Sequence, residues 1–476
     1  MLLDDPSMRR LLMAFGLAAP AAACGSAAEP GRPAPELAVL IDVNPDPRIV
    51  EVELIAAPAT VELLAGKPAD VWAFRDGSDP DAAGSIPGPM LEAKLGDQVI
   101  VHFRNDLPDE TTIHWHGLRV PNAADGTPAS QVPVPPGGTY DYEMTLVDAG
   151  LYWYHPHVAG DVQIERGLYA PVLVHGGVDP DVAADRVFVL DDVKVEASGQ
   201  LSTQTDVLDL MLGRQGNVVL VNGQRAPGIT AAAGSRERWR FVSSANGRYF
   251  QLELPGGVFR VIGWDGGLVD APYETQRLLI APGERYDVLV ELAGNDGDEL
   301  ALRTVHYDRG HDIPDPGPID VLAIRLGPAS APPDELPLTW GDVAPIPTSA
   351  TTPRRAFVLA EDDTDPANPV FTINDEAYPN VTPVAVSSGE VEIWEIENTS
   401  EMDHPFHLHG MSFQVLALDG TPTAPLGWKD TVNVPRETTL RFAVAFGGPG
   451  VWMYHCHILE HAERGMMGEL EVSAPP

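Results

Sequence analysis

Gly96 to Gly117 (GDQVIVHFRNDLPDETTIHWHG) lies without a gap on Gly389 to Gly410 (GEVEIWEIENTSEMDHPFHLHG), so one folding unit recurs within this chain of 476 residues. In that register His114 meets His407, and His116 meets His409. A second stretch repeats alongside: Gly150 to His157 (GLYWYHPH) matches Gly450 to His457 (GVWMYHCH). Between them, the run from Gly234 to Phe241 keeps the glycine-to-apolar spacing without any histidine. Phe259 to Gly266 echoes Phe413 to Gly420, and P-G-x-x-Y-D occurs at Pro136 and again at Pro282. Three homologous units are the economical reading.

Short apolar alternations separated by Gly, Pro, Asn and Asp say what each unit is made of. Val99, Val101 and Phe103 alternate with polar neighbours, as do Trp239 and Phe241, and Val391, Ile393 and Leu416 with theirs. Strands this frequent predict an all-β chain of sandwiches or barrels. Boundaries fall near Gly176-Gly177 and in the Pro-rich stretch Gly327 to Pro337, giving domains over 45–176, 177–327 and 339–476 with a linker over 328–338. Ahead of them, 25–44 reads as a tether.

Residues 1–24 look like an export signal. Met8-Arg9-Arg10 precedes an apolar run from Leu11 to Ala19 and then Ala21-Ala22-Ala23-Cys24. The small residues before Cys24 fit simple cleavage or a lipoprotein processing site with a lipid anchor on Cys24. The expectation is an exported protein: periplasmic, tethered to the cell envelope, or secreted. The 69 acidic against 30 basic residues give a formal charge of −39, which argues against nucleic-acid or anionic-membrane partners. A monomer is expected. Of two cysteines only Cys456 lies beyond the signal, so no intrachain disulfide forms in the mature chain. A lone thiol in an oxidising compartment is a liability unless something occupies it.

What occupies it is written around it. Ten of the fourteen histidines fall in four clusters: His114/His116, His155/His157, His404/His407/His409 and His455/His457/His461. On a strand, each H-x-H pair puts both imidazoles on one face. Cys456, between His455 and His457, faces the other way. His404 stands at an odd offset from His407 and leaves the common face, toward the side of Cys456. Thiolate, two imidazoles and the thioether of Met466 are the ligand set of a blue-copper centre. The other eight histidines share one cavity, more than any single ion needs and enough for three copper ions with open positions for dioxygen. Two pairs come from the first unit and two from the third, so that cavity lies where those domains meet. A zinc site, usually satisfied by four ligands, has no use for the axial methionine; Met467 is the competing thioether.

I-H-W-H-G, Y-H-P-H, H-P-F-H-L-H-G and H-C-H-I-L-E-H-A-E-R-G-M-M, in that order, resemble the three-domain multicopper oxidases of the bacterial laccase-like group. The resemblance implies three consecutive cupredoxin-like Greek-key domains and four copper ions. It implies type 1 copper on His404, Cys456, His461 and Met466, and type 2 copper on His114 and His407. The two type 3 ions would take His116, His155 and His457, and His157, His409 and His455. It further implies one-electron oxidation of phenols, aromatic amines or similar small reductants coupled to reduction of dioxygen to water, with oxidation of Cu(I), Fe(II) or Mn(II) as the alternative.

Asp125, before Gly126, matches an acidic residue that delivers protons in relatives. Two departures stand out. Many bacterial relatives carry glutamate immediately after the histidine matching His461, where this chain has Ala462; Glu460 or Glu463 is expected to compensate. Relatives specialised for Cu(I) often carry a methionine-rich insert before the third domain, and Pro337 to Asn374 contains no methionine.

Overall fold

The computed structural model describes residues 33–34, 36–202, 204–311, 313–329, 343–365 and 367–475. The export signal, Cys24 and most of the expected linker lie outside the described residues. Six sheets pack as three sandwiches. In the first, one sheet orders Lys67–Asp76, Ile49–Leu64, Gln98–Asn105 and Thr139–Thr145; the other orders Leu91–Lys94, Ala170–His175, Gly150–His155 and His114–His116. The later sandwiches enlarge the same plan, with strands from Asp185 to Gly327 and from Arg354 to Ser473. A parallel pair recurs at the same place in all three: Ile49–Leu64 with Gln98–Asn105, Asp185–Val193 with Arg236–Ser243, and Arg354–Asp362 with Val391–Asn398.

Alternation carries the first core: Val99, Val101 and Phe103 are all buried. In the third domain the outcome differs from the alternation read at Val391 and Ile393. Trp394 and Ile396 face the core, while Val391 and Leu416 are only half-buried. The gapless repeat explains why, because it sets Glu392, Trp394 and Ile396 opposite Val99, Val101 and Phe103. Glu392 tolerates an inward position because Arg355 clamps it at 2.9 and 2.7 Å and Trp394 Nε1 donates to it at 2.9 Å. The middle domain repeats this set, with Arg186 and Trp239 both donating to Glu237. The histidine-free copy is therefore the same structural unit.

One continuous core joins the first and third domains, from Trp115 and Tyr142 to Trp394, Phe406 and Cys456. The middle domain has its own, around Trp239 and Phe241. Part of the expected tether is packed: Ala34 N–H donates to Gly228 O at 2.6 Å, Leu40 is buried, and Ile41 N–H donates to Asp76 at 2.7 Å. Three short helices complete the site's surroundings: α1 (Gly160–Glu165), α2 (Val207–Leu212) and α3 (Leu459–Glu463).

Candidate metal centre

Strand pairing sets which face each ligand meets. His114 pairs with His155 in the first domain, and His407 with His455 in the third, in the same slot of the same sheet. Phe406 pairs with Cys456, so His404, two residues earlier, shares the cysteine's side. His404 Nδ1 lies 3.5 Å from Cys456 Sγ, His461 Nδ1 lies 4.0 Å from it, and the two nitrogens are 3.3 Å apart. Met466 is fully buried in the same core cluster as Cys456, whereas Met467 packs with Met453 and Ala462. That separates the two candidate thioethers. The middle domain supplies a cap, His461 Nε2 donating to Met211 O on α2 at 3.1 Å, and Phe371 of the third domain stacks on the ring at 3.8 Å.

The remaining eight histidines converge from both domains. His116, His155 and His457 meet pairwise at ring-centroid distances of 5.7, 4.9 and 5.7 Å. His157, His409 and His455 meet at 5.0, 5.2 and 5.1 Å. His114 and His407 lie 5.7 Å apart.

Their hydrogen bonds test whether a metal fits. Carbonyl and carboxylate oxygens only accept, so a ring nitrogen facing one carries the proton and its opposite nitrogen keeps a bare lone pair. His114, His155, His407 and His455 each point Nδ1 at a backbone carbonyl, of Asp125, Pro156, Asp430 and Cys456, at 2.8 to 2.9 Å. His409 points Nδ1 at the Asp125 carboxylate at 3.2 Å. The lone pairs of His409 and His455 therefore face each other at 3.0 Å, which needs a cation between them. His114, His155 and His407 Nε2, with His116 Nδ1, are buried without a hydrogen-bond partner among the described residues. In the other site Ser400 Oγ has two oxygen acceptors for its hydrogen, Asn398 Oδ1 at 2.6 Å and Met402 O at 3.0 Å, and so accepts from His404 Nε2 at 2.8 Å, leaving His404 Nδ1 bare toward Cys456. Burial, reinforced in the cluster by neighbouring imidazoles, holds His116, His155, His407, His409 and His455 below their ordinary value, and burial holds His404 at about 4. Neutral imidazole is the metal-binding form. Burial also pushes the Cys456 thiol up, so a thiolate there requires a cation. The donor set fits copper.

Two aspartates orient this cluster reciprocally. Asp125 offers its carbonyl to His114 of its own domain and its carboxylate to His409 of the other. Asp430 offers its carbonyl to His407 of its own domain and its carboxylate to His116 of the other, at 3.2 Å. Sequence reasoning found the first and missed the second. The loop from His114 to Asp125 is 11 residues and that from His407 to Asp430 is 23, so no gapless repeat connects them. Gly126 has a φ of +77°, and a Cβ there would overlap Ile113 O. Asp125 is thus both a turn aspartate and a partner of the cluster. Arg285 of the middle domain, also unforeseen, clamps Asp430 at 2.6 and 2.5 Å and donates to Leu151 O and Gly283 O.

The expected proton carriers lie elsewhere. Glu460 is buried; its Oε1 accepts from Asn246 at 2.8 Å, and Arg214 stands 4.0 Å away. Glu463 is exposed along its stem, but its carboxylate turns in to accept from Gly160 N–H on α1 at 2.7 Å. Burial first, then the charge of Asp161, raises both to about 7. Neither bonds a cluster histidine among the described residues.

Sandwich folds, a buried thiolate–imidazole site and an adjoining octet of neutral imidazoles define a copper-dependent redox protein. Family models described as multicopper oxidase match residues 76–178, 191–309 and 348–476. The chain belongs to the multicopper oxidase family. It is similar to the multicopper oxidase MmcO of Mycobacterium tuberculosis, with 32% identity covering 81% of this chain and 82% of that one. Among solved structures it resembles a Campylobacter jejuni multicopper oxidase described as a metallo-oxidase, with a TM-score of 0.83, 28% identity and coverage of 94% and 96%. It also resembles a laccase-like oxidase of Ochrobactrum described as active toward lignin model compounds, with a TM-score of 0.79, 27% identity and coverage of 92% and 100%. The three sandwiches are cupredoxin-like, as the resemblance implied, and the protein is an oxidoreductase that uses dioxygen as acceptor.

Proposed function

We propose a laccase-like oxidase holding four copper ions, which oxidises small phenols or aromatic amines one electron at a time. The observation that carries this reading is the tripeptide His455-Cys456-His457, whose cysteine joins one donor site and whose histidines join the other. His404, Cys456, His461 and Met466 would hold type 1 copper, and His114 with His407 type 2. His116, His155 and His457, and His157, His409 and His455, would hold the type 3 pair. Bound copper would supply one-electron acceptance at the first site and four-electron reduction of dioxygen to water at the second.

The chain's own part is geometry and protons. Peptide bonds through Cys456 give a covalent connection between the sites. Asp125 and Asp430 fix imidazole orientation, which holds ligand lone pairs on the metal positions. Met211 O caps His461, so a reductant delivers its electron across α2 rather than by bonding the imidazole. For Asp125 we propose proton delivery at the cluster, and for Glu463 a supply line along α1 toward His157. Glu460, held by Asn246, would support that path from behind. We further propose that the chain acts as an exported monomer.

A second reading, oxidation of reduced metal ions, is favoured by one observation. His311 lies 3.0 Å from Glu361 and 3.9 Å from Glu401, an imidazole–carboxylate group of the kind that receives a metal ion. Oxygen uptake by copper-loaded protein across phenols, aromatic amines, Fe(II), Mn(II) and Cu(I) separates the two. The first reading expects turnover of the organic reductants to exceed that of the metal ions. The reverse order would replace it with the second, and no uptake with any reductant would refute both.

A further inference from the structure

Arg309 is a charged residue near this site that belongs to neither donor set. It is 2% exposed, and among the described residues no carboxylate lies within 4.0 Å of it. Among those residues its Nη1 is buried without a hydrogen-bond partner, its Nη2 donates to Leu212 O, and its guanidinium carbon lies 5.4 Å over the Tyr249 ring. A cation in that setting is costly unless some other charge offsets it.

Asp403 and Asp192 favour its charge only from farther away, and it stands beside the Cys456 site. Arg309 is tied to both histidines that share the cysteine's site, His404 and His461. Leu212, whose carbonyl it holds, follows the Met211 that caps His461, and the backbone carbonyl of Arg309 accepts at 2.8 Å from the N–H of Asp403, which precedes His404. Arg309 therefore stands one residue away from the contacts that hold both imidazoles of the Cys456 site. A divalent cation, one thiolate and two neutral imidazoles carry one net positive charge, and one-electron reduction removes it. A fixed positive charge beside such a centre repels the oxidised form more than the reduced form, and burial leaves that repulsion poorly screened.

We propose that Arg309 is a positioning residue that sets the redox potential of the His404–Cys456–His461 centre, holding it high without touching the metal. This rests on the copper reading above. The test is spectroelectrochemical titration of the thiolate-to-copper band in the copper-loaded full chain. Arg309→Gln keeps a donor for Leu212 O but removes the charge, and should shift the reduction equilibrium at least tenfold toward the oxidised form, a fall of 59 mV for a one-electron couple. Arg309→Lys should stay within about threefold of wild type. Ile313→Glu, which lines the same small cavity as Arg309, leaves the arginine in place but sets a carboxylate beside it. It should lower the potential in the same direction even if the Arg309 variants fail to fold. Potentials unchanged in Ile313→Glu and in any folded neutral variant would overturn the proposal. A wild-type protein without the band would overturn the copper reading itself.

Discussion

Removing Arg285 should loosen all three domains at once. The residue belongs to the middle domain, yet it bonds Leu151 of the first, Gly283 of its own and Asp430 of the third. Both partners of its ion pair are 1% exposed at the side chain. Arg285→Met keeps most of the volume and leaves the Asp430 charge buried with only histidine and Thr431 donors. Breaking a buried pair in this way costs about 3–5 kcal/mol. The two stranded carbonyls, at about 1–3 kcal/mol each if left unsatisfied, argue for the upper end. Adding Asp430→Asn removes the orphaned charge and should restore about 1–3 kcal/mol. The assay is urea denaturation of the metal-free protein, since a bound metal would add its own stabilisation of the native state. Because the arginine bridges domains, the variant should also split one cooperative transition into separate ones. A loss below about 1 kcal/mol, or a double variant no more stable than the single, would refute the reasoning.

Other tests follow from the same geometry. Pairing with Glu361 raises His311 above its ordinary 6.5 against opposing burial, and the same pairing lowers Glu361 below 4.5. The histidine's contribution is complete below about pH 6.5 and fades as pH rises through its folded value; the carboxylate's is complete above about pH 4.5 and fades as pH falls through its folded value. Glu361→Gln should therefore cost most between those limits and progressively less on either side, read from denaturant midpoints; a cost independent of pH would contradict this. Met466→Leu should change the visible spectrum and potential of the copper-loaded protein, while Met467→Leu changes neither. Equal effects would undo the separation of the two thioethers.

Much of this was legible in the sequence because strand periodicity is rigid. The odd offset of His404 from His407 sent it to the cysteine's side, and matched H-x-H pairs in the first and third units located the shared cavity. The gapless repeat proved a better guide than apolar alternation at Glu392, where a buried glutamate held by Arg355 and Trp394 replaces an aliphatic residue. What escaped notice lacked a pattern. Asp430 plays the part of Asp125 across a loop about twice as long, and Arg285 and Arg309 are single residues in a domain that carries no cluster histidine. Their importance comes from packing between domains, which local spacing does not encode. Met211 acts through its backbone carbonyl, where side-chain identity gives no signal.

The central claim is that one tripeptide serves two copper sites. Copper analysis with visible and electron paramagnetic resonance spectra, on wild type beside Cys456→Ser, tests it most directly. The account predicts four copper ions in the wild type. It predicts three in the variant, with the thiolate band and oxidation of reductants lost while the signal of the histidine-bound copper persists. A variant that keeps the band, or that loses the histidine-bound copper together with the first site, would contradict it.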